Sequence, residues 1–267
     1  MRTRKKVGLA LGSGGVRGLA HVGVIRALLA HDIPIDYIAG SSIGAWVGAH
    51  FSLFQDMEIL TELTVGKRRE KLRALFEPSW HGGLIGGKKI QGLLSRWLGS
   101  ASFHDTVIPF AAVTTDVVKR EMRVFTEGEL VPAIQASMAI PGIFKPIVHE
   151  GHVLIDGGVS NPVPIDVVRR MGADIVIGVN LYRLSEQESG GSTDAGGFMD
   201  VTRRTLEIMH YSLAAKCMES ADIAIEPPVG RYAGWTDYFM ERDGERVVEM
   251  GAIETERIMP ILKKILQ

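Results

Sequence analysis

The sequence has one cysteine, Cys217, among its 267 residues. A single cysteine cannot form an internal disulfide, and no other cysteine can join it in a metal cluster. We therefore interpret Cys217 as a small apolar residue on a helix face. A reducing, cytoplasmic location fits this cysteine usage best.

Long hydrophobic runs are also scarce. Residues 37–55 carry no formal charge, and the length of this stretch is near that of a segment that crosses a bilayer. Small and polar residues interrupt this stretch, however, which favours a short strand, a sharp turn and a buried helix over a membrane span. At the N-terminus, basic residues precede an apolar run that soon reaches glycines and Arg17, a pattern that is not a signal peptide.

An excess of charge of either sign is missing as well. The chain has 30 basic and 31 acidic residues, a net charge of -1, so its overall charge attracts neither nucleic acid nor an anionic surface. We expect no nucleic-acid partner, and the oligomeric state is left open. Hydrophobic residues make up 46% of the chain, enough for a sizeable core. The length fits one large domain, residues 1–267.

Strand-like and helix-like segments alternate along the chain. Short apolar runs predict strands at 7–11, 37–39, 110–114, 153–155, 174–179 and 223–225. Helical spacing predicts helices at 18–30, 43–53, 164–171 and 199–221. This alternation predicts an α/β fold with a mainly parallel sheet covered on both faces. Residues 185–197 are polar and glycine-rich, which predicts a surface loop.

Residues 40–44, Gly-Ser-Ser-Ile-Gly, match the nucleophile elbow G-x-S-x-G. This motif holds a serine on a tight strand-to-helix turn, and Gly40 and Gly44 let the neighbouring elements approach closely. A predicted strand precedes the motif and a predicted helix follows it, as the elbow requires. Ser42 is thus a candidate nucleophile. The alternative is a glycine–serine turn that only caps a helix.

A second glycine motif, residues 12–18, follows the first predicted strand. Such a loop points bare backbone N–H groups at one place, which suits a bound phosphate or an oxyanion formed during acyl transfer. The dinucleotide fingerprint fits poorly because Arg17 replaces its third glycine and Asp36 precedes a strand rather than ending one. Residues 82–89 approach a phosphate loop, but Lys89 stands where serine or threonine should bind magnesium.

The third element is Asp156, at the end of an apolar strand and before two glycines. Taken alone, an aspartate here is more often a turn residue than a catalyst. A nucleophilic serine needs a base, however, and the histidines are poorly placed. His210 lies inside a helical pattern, while His149 and His152 flank a predicted hairpin turn and precede the acid. A carboxylate that acts directly on Ser42 fits the residues better than a triad.

Together these three elements resemble the patatin-like phospholipases, in particular the bacterial members similar to the neuropathy target esterase catalytic domain. The family's G-G-G-x-[KR]-G falls on residues 13–18, its G-x-S-x-G on 40–44 and its D-G-[AG] on 156–158. Residues 139–146 and 157–164 also resemble stretches that these proteins carry. The likeness covers about residues 6–179, and Ser13 departs from the triple glycine.

The resemblance implies a three-layer α/β/α sandwich and lipid ester substrates. It also implies a dyad of Ser42 and Asp156, an acyl-enzyme intermediate, and no metal or other cofactor. Backbone N–H groups near Gly14 and Gly15 would hold the oxyanion, and Arg17 with Gly18 would support that loop. The alternative is a regulatory or binding protein that keeps this fold and hydrolyses esters only incidentally.

Residues 66–98 form a locally basic segment. Eight basic and two acidic residues give it a charge of +6, and Trp80, Leu84, Ile85 and Trp97 are interleaved. Such a composition suits contact with an anionic bilayer. We hypothesise that this segment caps the active site and meets the inner face of the membrane; the alternative is a solvated helix pair with ordinary core tryptophans.

Overall fold

A computed structural model describes residues 4–75, 77, 83, 85–183, 197–230 and 244–266. Within these residues eight strands form one sheet. The strands are β1 (Val7–Leu11), β2 (Tyr37–Ser41), β3 (Phe110–Asp116), β4 (Glu121–Phe125), β5 (Ile147–His149), β6 (His152–Asp156), β7 (Ile175–Val179) and β8 (Ile223–Ile225).

The described residues also form α-helices and short 3-10 helices. The α-helices are α1 (Leu19–Ala30), α2 (Ile43–Phe54), α3 (Met57–Val65), α4 (Arg68–Leu75), α5 (Lys88–Leu98), α6 (Leu130–Ser137), α7 (Ile165–Arg170), α8 (Phe198–Met218) and α9 (Gly244–Leu266). A 3-10 helix at Gly15–Gly18 immediately precedes α1, and another at Gly157–Val159 follows β6.

The centre of the sheet is parallel and buried. β1 pairs in parallel with β2 on one side and with β7 on the other, and β8 extends the sheet beyond β7. All five residues of β1 and of β7 are buried, as expected for parallel strands covered on both faces. The order β5-β6-β3-β2-β1-β7-β8 places β1 near the middle, with β4 paired to β3.

Two strands share one edge of β3, and this arrangement builds the site. β2 pairs in parallel with Phe110–Val113. β6 is antiparallel and pairs with Thr114–Asp116, directly beyond the end of β2. β4 pairs with residues 112–116 and therefore occupies the opposite edge. The last residues of β2 and β6 thus meet at adjacent positions along β3.

Hydrophobic residues pack on both faces of the sheet. Alternate side chains of a strand point to opposite faces: Leu9 and Leu11 join a cluster with α1, α2, α3, α5, α6 and α9, whereas Ala10 joins one with α7 and α8. The predicted three-layer α/β/α architecture is confirmed. Among the described residues, no helix is long and apolar enough to cross a membrane.

The predicted elements all appear, with shifted ends in most cases. The strands at 7–11 and 223–225 match the structure residue for residue, and the stretch 37–55 is a strand, a turn and a helix. The α-helix predicted from Gly18 begins at Leu19, after the 3-10 turn. The predicted surface loop 185–197 lies outside the described residues except for Gly197, as do Trp80 and Leu84 of the basic segment.

Candidate active site

Ser42 lies in the turn between β2 and α2, with a backbone conformation that few non-glycine residues adopt. Its φ is 56° and its ψ is -123°, a conformation that costs on the order of 1–3 kcal/mol. A Cβ on Gly40 would lie 2.3 Å from the carbonyl oxygen of Gly44, and one on Gly44 would lie 2.2 Å from that of Leu11. Both glycines of the elbow are therefore sterically required.

The structure brings Ser42 and Asp156 into direct contact. The Ser42 hydroxyl donates a hydrogen bond to Oδ2 of Asp156 at 2.5 Å, and the backbone N–H of Gly158 donates to Oδ1 at 2.8 Å. Ser42 is 4% exposed and Asp156 is 5% exposed. A carboxylate in this position can accept the proton of the serine.

Burial sets the proton affinity of this carboxylate. Removal from water raises the pKa of Asp156 from 3.8 to about 6, and the hydrogen bonds from Ser42 and Gly158 partly oppose the rise because they favour the charged form. Asp156 is thus ionised at neutral pH but binds a proton far more readily than an exposed aspartate. Both properties suit a general base.

The glycine loop after β1 presents free backbone donors. The N–H groups of Gly12 and Ser13 bond to carbonyl oxygens of neighbouring segments. In contrast, no described residue accepts a hydrogen bond from the N–H of Gly14 or of Gly15. Gly15 and Ser42 line the same cavity. The loop therefore offers unpaired donors on the side where a Ser42 adduct would form.

Arg17 and Gly18 make close contacts within this loop and with the residues around it. Arg17 is buried, its Nε donates to the carbonyl of Gly14 at 3.2 Å, and its guanidinium lies 4.6 Å from the ring centroid of Tyr182. Gly18 packs so closely that an added Cβ would lie 2.3 Å from the side chain of Ile43. These contacts of Arg17 are made with Gly14 and Tyr182 and not with Ser42.

These elements can be compared with known proteins. The family model described as Patatin-like phospholipase matches residues 9–169, from β1 through most of α7. The chain belongs to the patatin-like phospholipase family. The matched range includes the glycine loop, the elbow at Ser42 and the strand that ends at Asp156.

Curated relatives from this family are longer than the chain. An uncharacterized NTE family protein of Mycobacterium tuberculosis is 37% identical over 190 residues, 71% of this chain and 52% of that protein. Patatin-like phospholipase domain-containing protein 7 of Mus musculus is 32% identical over 201 residues, which cover 73% of this chain and 15% of that protein. Lysophospholipase NTE1 of Pyricularia oryzae is 31% identical over 205 residues, which cover 74% of this chain and 14% of that protein. The chain therefore spans about half the length of the first relative and a small part of the others.

A solved structure has the same fold. VipD from Legionella pneumophila superposes with a TM-score of 0.56 at 11% sequence identity, covering 96% of this chain and 67% of that chain. At this identity the similarity concerns the fold alone. It agrees with the three-layer arrangement around the elbow.

Ser137, at the end of α6, contacts the backbone of Ser42 and was missed by sequence reasoning. Its hydroxyl accepts a hydrogen bond from the backbone N–H of Ser42 at 2.9 Å and donates to the carbonyl of Val113 at 2.6 Å. Ser137 is fully buried. It stands two residues before the stretch 139–146 that resembles the family, but no local sequence pattern indicates its contact with Ser42.

Tyr182 is a second residue that sequence reasoning missed. Its hydroxyl lies 2.9 Å from Oγ of Ser13, the residue that departs from the family's triple glycine. Its ring stacks on His210 at a centroid distance of 5.6 Å, while Arg17 lies over the ring as well. Burial raises the pKa of Tyr182 to about 12. The tyrosine therefore ties the glycine loop to the chain beyond β7.

No histidine among the described residues bonds to Ser42 or Asp156. His152 bonds through Nδ1 to Asp116 at 2.5 Å and accepts from Arg123 at Nε2, so its two ring nitrogens are occupied elsewhere. Burial, with the nearby Arg17, lowers the pKa of His210. The described residues also contain no group of three or more side chains that could hold a metal ion.

An apolar cavity opens beside Ser42. Its volume is about 130 Å³ and its walls come from the loop at Gly15, from α2, and from α3 to α5. Trp46, Leu94, Trp97, Met138 and Phe144 are among its lining residues. Part of the basic segment, in α4 and α5, therefore forms a wall of the cavity that contains the candidate nucleophile.

Proposed function

We propose that this chain is a serine acyl hydrolase that cleaves the carboxylic esters of phospholipids or lysophospholipids. Ser42 is the nucleophile and Asp156 is its base. The observation that carries the proposal is the 2.5 Å hydrogen bond between these two buried side chains, of which Ser42 lines an apolar cavity. The proposed reaction needs no cofactor.

The reaction proceeds through an acyl-enzyme. Oγ of Ser42 attacks the ester carbonyl carbon while its proton moves to Oδ2 of Asp156. The oxyanion that forms accepts hydrogen bonds from the backbone N–H groups of Gly14 and Gly15, and such donors contribute about 3–4 kcal/mol each in other enzymes. Collapse of the adduct expels the alcohol, which takes the proton from Asp156.

Water then completes the cycle. It attacks the acyl carbon on Ser42 and gives its proton to Asp156. The bond between the acyl carbon and Oγ then breaks, the fatty acid leaves, and Asp156 returns the proton to Oγ. The raised pKa of Asp156, about 6, supports both directions of this transfer because the carboxylate must accept a proton in one half-reaction and return it in the next.

Two observations support a lipid ester as the substrate. The cavity walls are built largely from apolar and aromatic side chains, which favours an acyl chain over a polar group. One relative also bears the name lysophospholipase. We further propose that the enzyme acts from the cytoplasm at the inner face of the membrane, where such esters are found.

A fluorophosphonate probe tests the nucleophile because only a reactive serine accepts it. We expect one label per chain, on the peptide that contains Ser42, and none in Ser42→Ala. Ser52→Ala is the matched control, since Ser52 is a buried serine of the same helix α2. The control should label like the parent.

Hydrolysis of a panel of phospholipids, lysophospholipids and short esters extends this test. Ser42→Ala should reduce kcat by about three orders of magnitude or more. Turnover within tenfold of the parent would assign the nucleophile elsewhere. A correctly folded parent that accepts no probe would instead favour the regulatory or binding alternative.

A further inference from the structure

Helices α4 and α5 separate two cavities of different character. Their inner faces line the apolar cavity beside Ser42, for example through Ala74 and Leu94. Trp97 of α5 packs against Trp46 of α2 at a ring-centroid distance of 5.1 Å, so α5 contacts a helix that packs on the sheet. Their outer faces form an open groove, and Ala74 lines both cavities. The groove and the apolar cavity are therefore about one helix apart.

The groove, which we call the basic groove, is lined mainly by cations. Its described charged residues are Lys67, Arg69, Glu70, Arg73, Lys89 and Arg96. Lys67 pairs with Glu62 at 2.6 Å and Arg96 pairs with Glu70 at 2.7 Å. Among the described residues, Arg69 and Arg73 have no acidic partner; both are exposed, one helical turn apart on α4.

The charge of this region differs from that of the rest of the chain. Residues 66–98 carry +6 while the whole chain carries -1, so the remaining residues carry -7. A strongly basic surface on an otherwise acidic protein creates a local positive potential that attracts and orients anions. This potential is located at the outer wall of the apolar cavity.

Resting on the proposed function, we propose that the basic groove is the docking surface for a bilayer with anionic phosphate head groups. Arg69 and Arg73 contact head-group phosphates, and the cavity on the other side of α4 receives an acyl chain from the same surface. Nucleic acid also offers phosphates, but none of the described groove residues is an aromatic side chain on which a base could stack. An apolar cavity one helix away serves a lipid and not a nucleic acid.

Vesicle sedimentation tests this surface. The protein carries Ser42→Ala so that it cannot degrade the vesicles, which are made of phosphatidylcholine alone or mixed with phosphatidylglycerol. We expect binding that requires the anionic lipid and falls with added salt. Arg69→Gln/Arg73→Gln should weaken it about 30-fold, or roughly fivefold for each arginine.

The matched control removes the same charge elsewhere. Arg26 of α1 and Lys264 of α9 are exposed. Helix α9 ends near the first residue of β1, opposite the end of that strand that leads into the glycine loop, and Lys5 there bonds to the carbonyl of Ile265 at 2.8 Å. Arg26→Gln/Lys264→Gln should keep the affinity of the parent to within about twofold. Circular dichroism should show that both double variants are folded.

Several outcomes would overturn the proposal. Equal binding to neutral and anionic vesicles would do so, as would equal losses in the groove and control variants. If the groove variant lost binding of soluble glycerophosphate or of single-stranded DNA while the protein ignored vesicles, the groove would serve that anion instead. Probe labelling of Ser42 is measured separately, so a failure of docking and a failure of the proposed hydrolase give different results.

Discussion

At the scale of single residues, the site depends on two opposed effects on Asp156. Burial disfavours its charge, whereas the hydrogen bonds from Ser42 and Gly158 favour it. The outcome, a pKa of about 6, leaves the carboxylate charged at neutral pH and still able to hold a proton in a reaction intermediate. A more exposed aspartate, with a pKa near 4, would be a weaker base for a serine hydroxyl.

This balance predicts the pH dependence of activity. Only ionised Asp156 can accept the serine proton, so kcat/KM should fall about tenfold per unit as the pH drops below about 6. Asp156→Asn should lower kcat by several orders of magnitude at every pH because an amide does not accept this proton. Initial rates on a soluble ester, measured between pH 4.5 and 8, would check both statements.

His210→Ala is the control for that experiment. Burial lowers the pKa of His210, but this histidine contacts Tyr182 rather than Ser42 or Asp156, so its removal should leave the pH midpoint in place. A variant as inactive as Asp156→Asn, or one that moves the midpoint, would show that a histidine acts as the base.

Sequence reasoning predicted the residues whose roles follow from local motifs and missed those whose roles follow from packing. Ser42 and Asp156 each stand in a short pattern of strand, turn and glycines, and the structure joins them. Ser137 and Tyr182 reach the site from α6 and from the segment after β7. No local spacing indicates either contact, because each depends on how distant elements pack on the sheet.

At the scale of elements, the direction of β6 decides the site. Sequence patterns predicted a strand at 153–155 and a mainly parallel sheet. They did not indicate that β6 runs antiparallel to β3 and pairs with the same edge as β2, directly after the residues of β3 that pair with β2. The edge strand β4 was also missed: its residues are exposed or half-buried, and a short strand on the sheet edge lacks the continuous apolar run of a central strand.

Helix α5, a wall of the cavity, allows an element-scale prediction. Gly92 lies in its interior with no atom within 4 Å of an added Cβ, and Gly99 follows its end with φ at 64° and equally open space. Gly92→Ala should raise the free energy of unfolding by about 0.5–1 kcal/mol because alanine favours the helix. Gly99→Ala should lower it by about 1 kcal/mol or more, since φ there suits glycine. Urea denaturation of both variants would check this, and equal shifts would contradict it.

At the scale of the whole molecule, the site lies where the parallel centre of the sheet meets its antiparallel edge. Ser42 follows a parallel strand, Asp156 ends an antiparallel one, and both side chains are buried between the helical layers. Such burial makes the carboxylate a good base but opposes its ionisation. The fold as a whole is therefore destabilised by the residue that the proposed reaction requires.

That conflict predicts a stability gain from an inactivating substitution. The folded pKa of Asp156, about 6, lies above the ordinary 3.8, so the folded state favours the protonated form. The stability that protonated Asp156 contributes is complete below the unfolded pKa, and it is lost as the pH rises through about 6 and the buried carboxyl ionises. The two values differ by an amount that corresponds to about 3 kcal/mol. Asp156→Asn, which stays neutral, should therefore raise the free energy of unfolding by about that amount at pH 8, and by about half of it at pH 5.

Asp36→Asn gives the opposite sign and serves as the comparison. Burial alone would raise the pKa of Asp36, but hydrogen bonds from Arg4, Val7 and Lys6 lower it to about 2. This carboxylate stabilises the fold above the unfolded pKa, and its contribution disappears only as the pH falls through about 2. Its replacement should destabilise the protein at both pH 8 and pH 5. Chemical denaturation at the two pH values measures the free energy of unfolding of both variants. If the Asp156→Asn protein were no more stable than the parent at pH 8, burial of ionised Asp156 would not destabilise the fold.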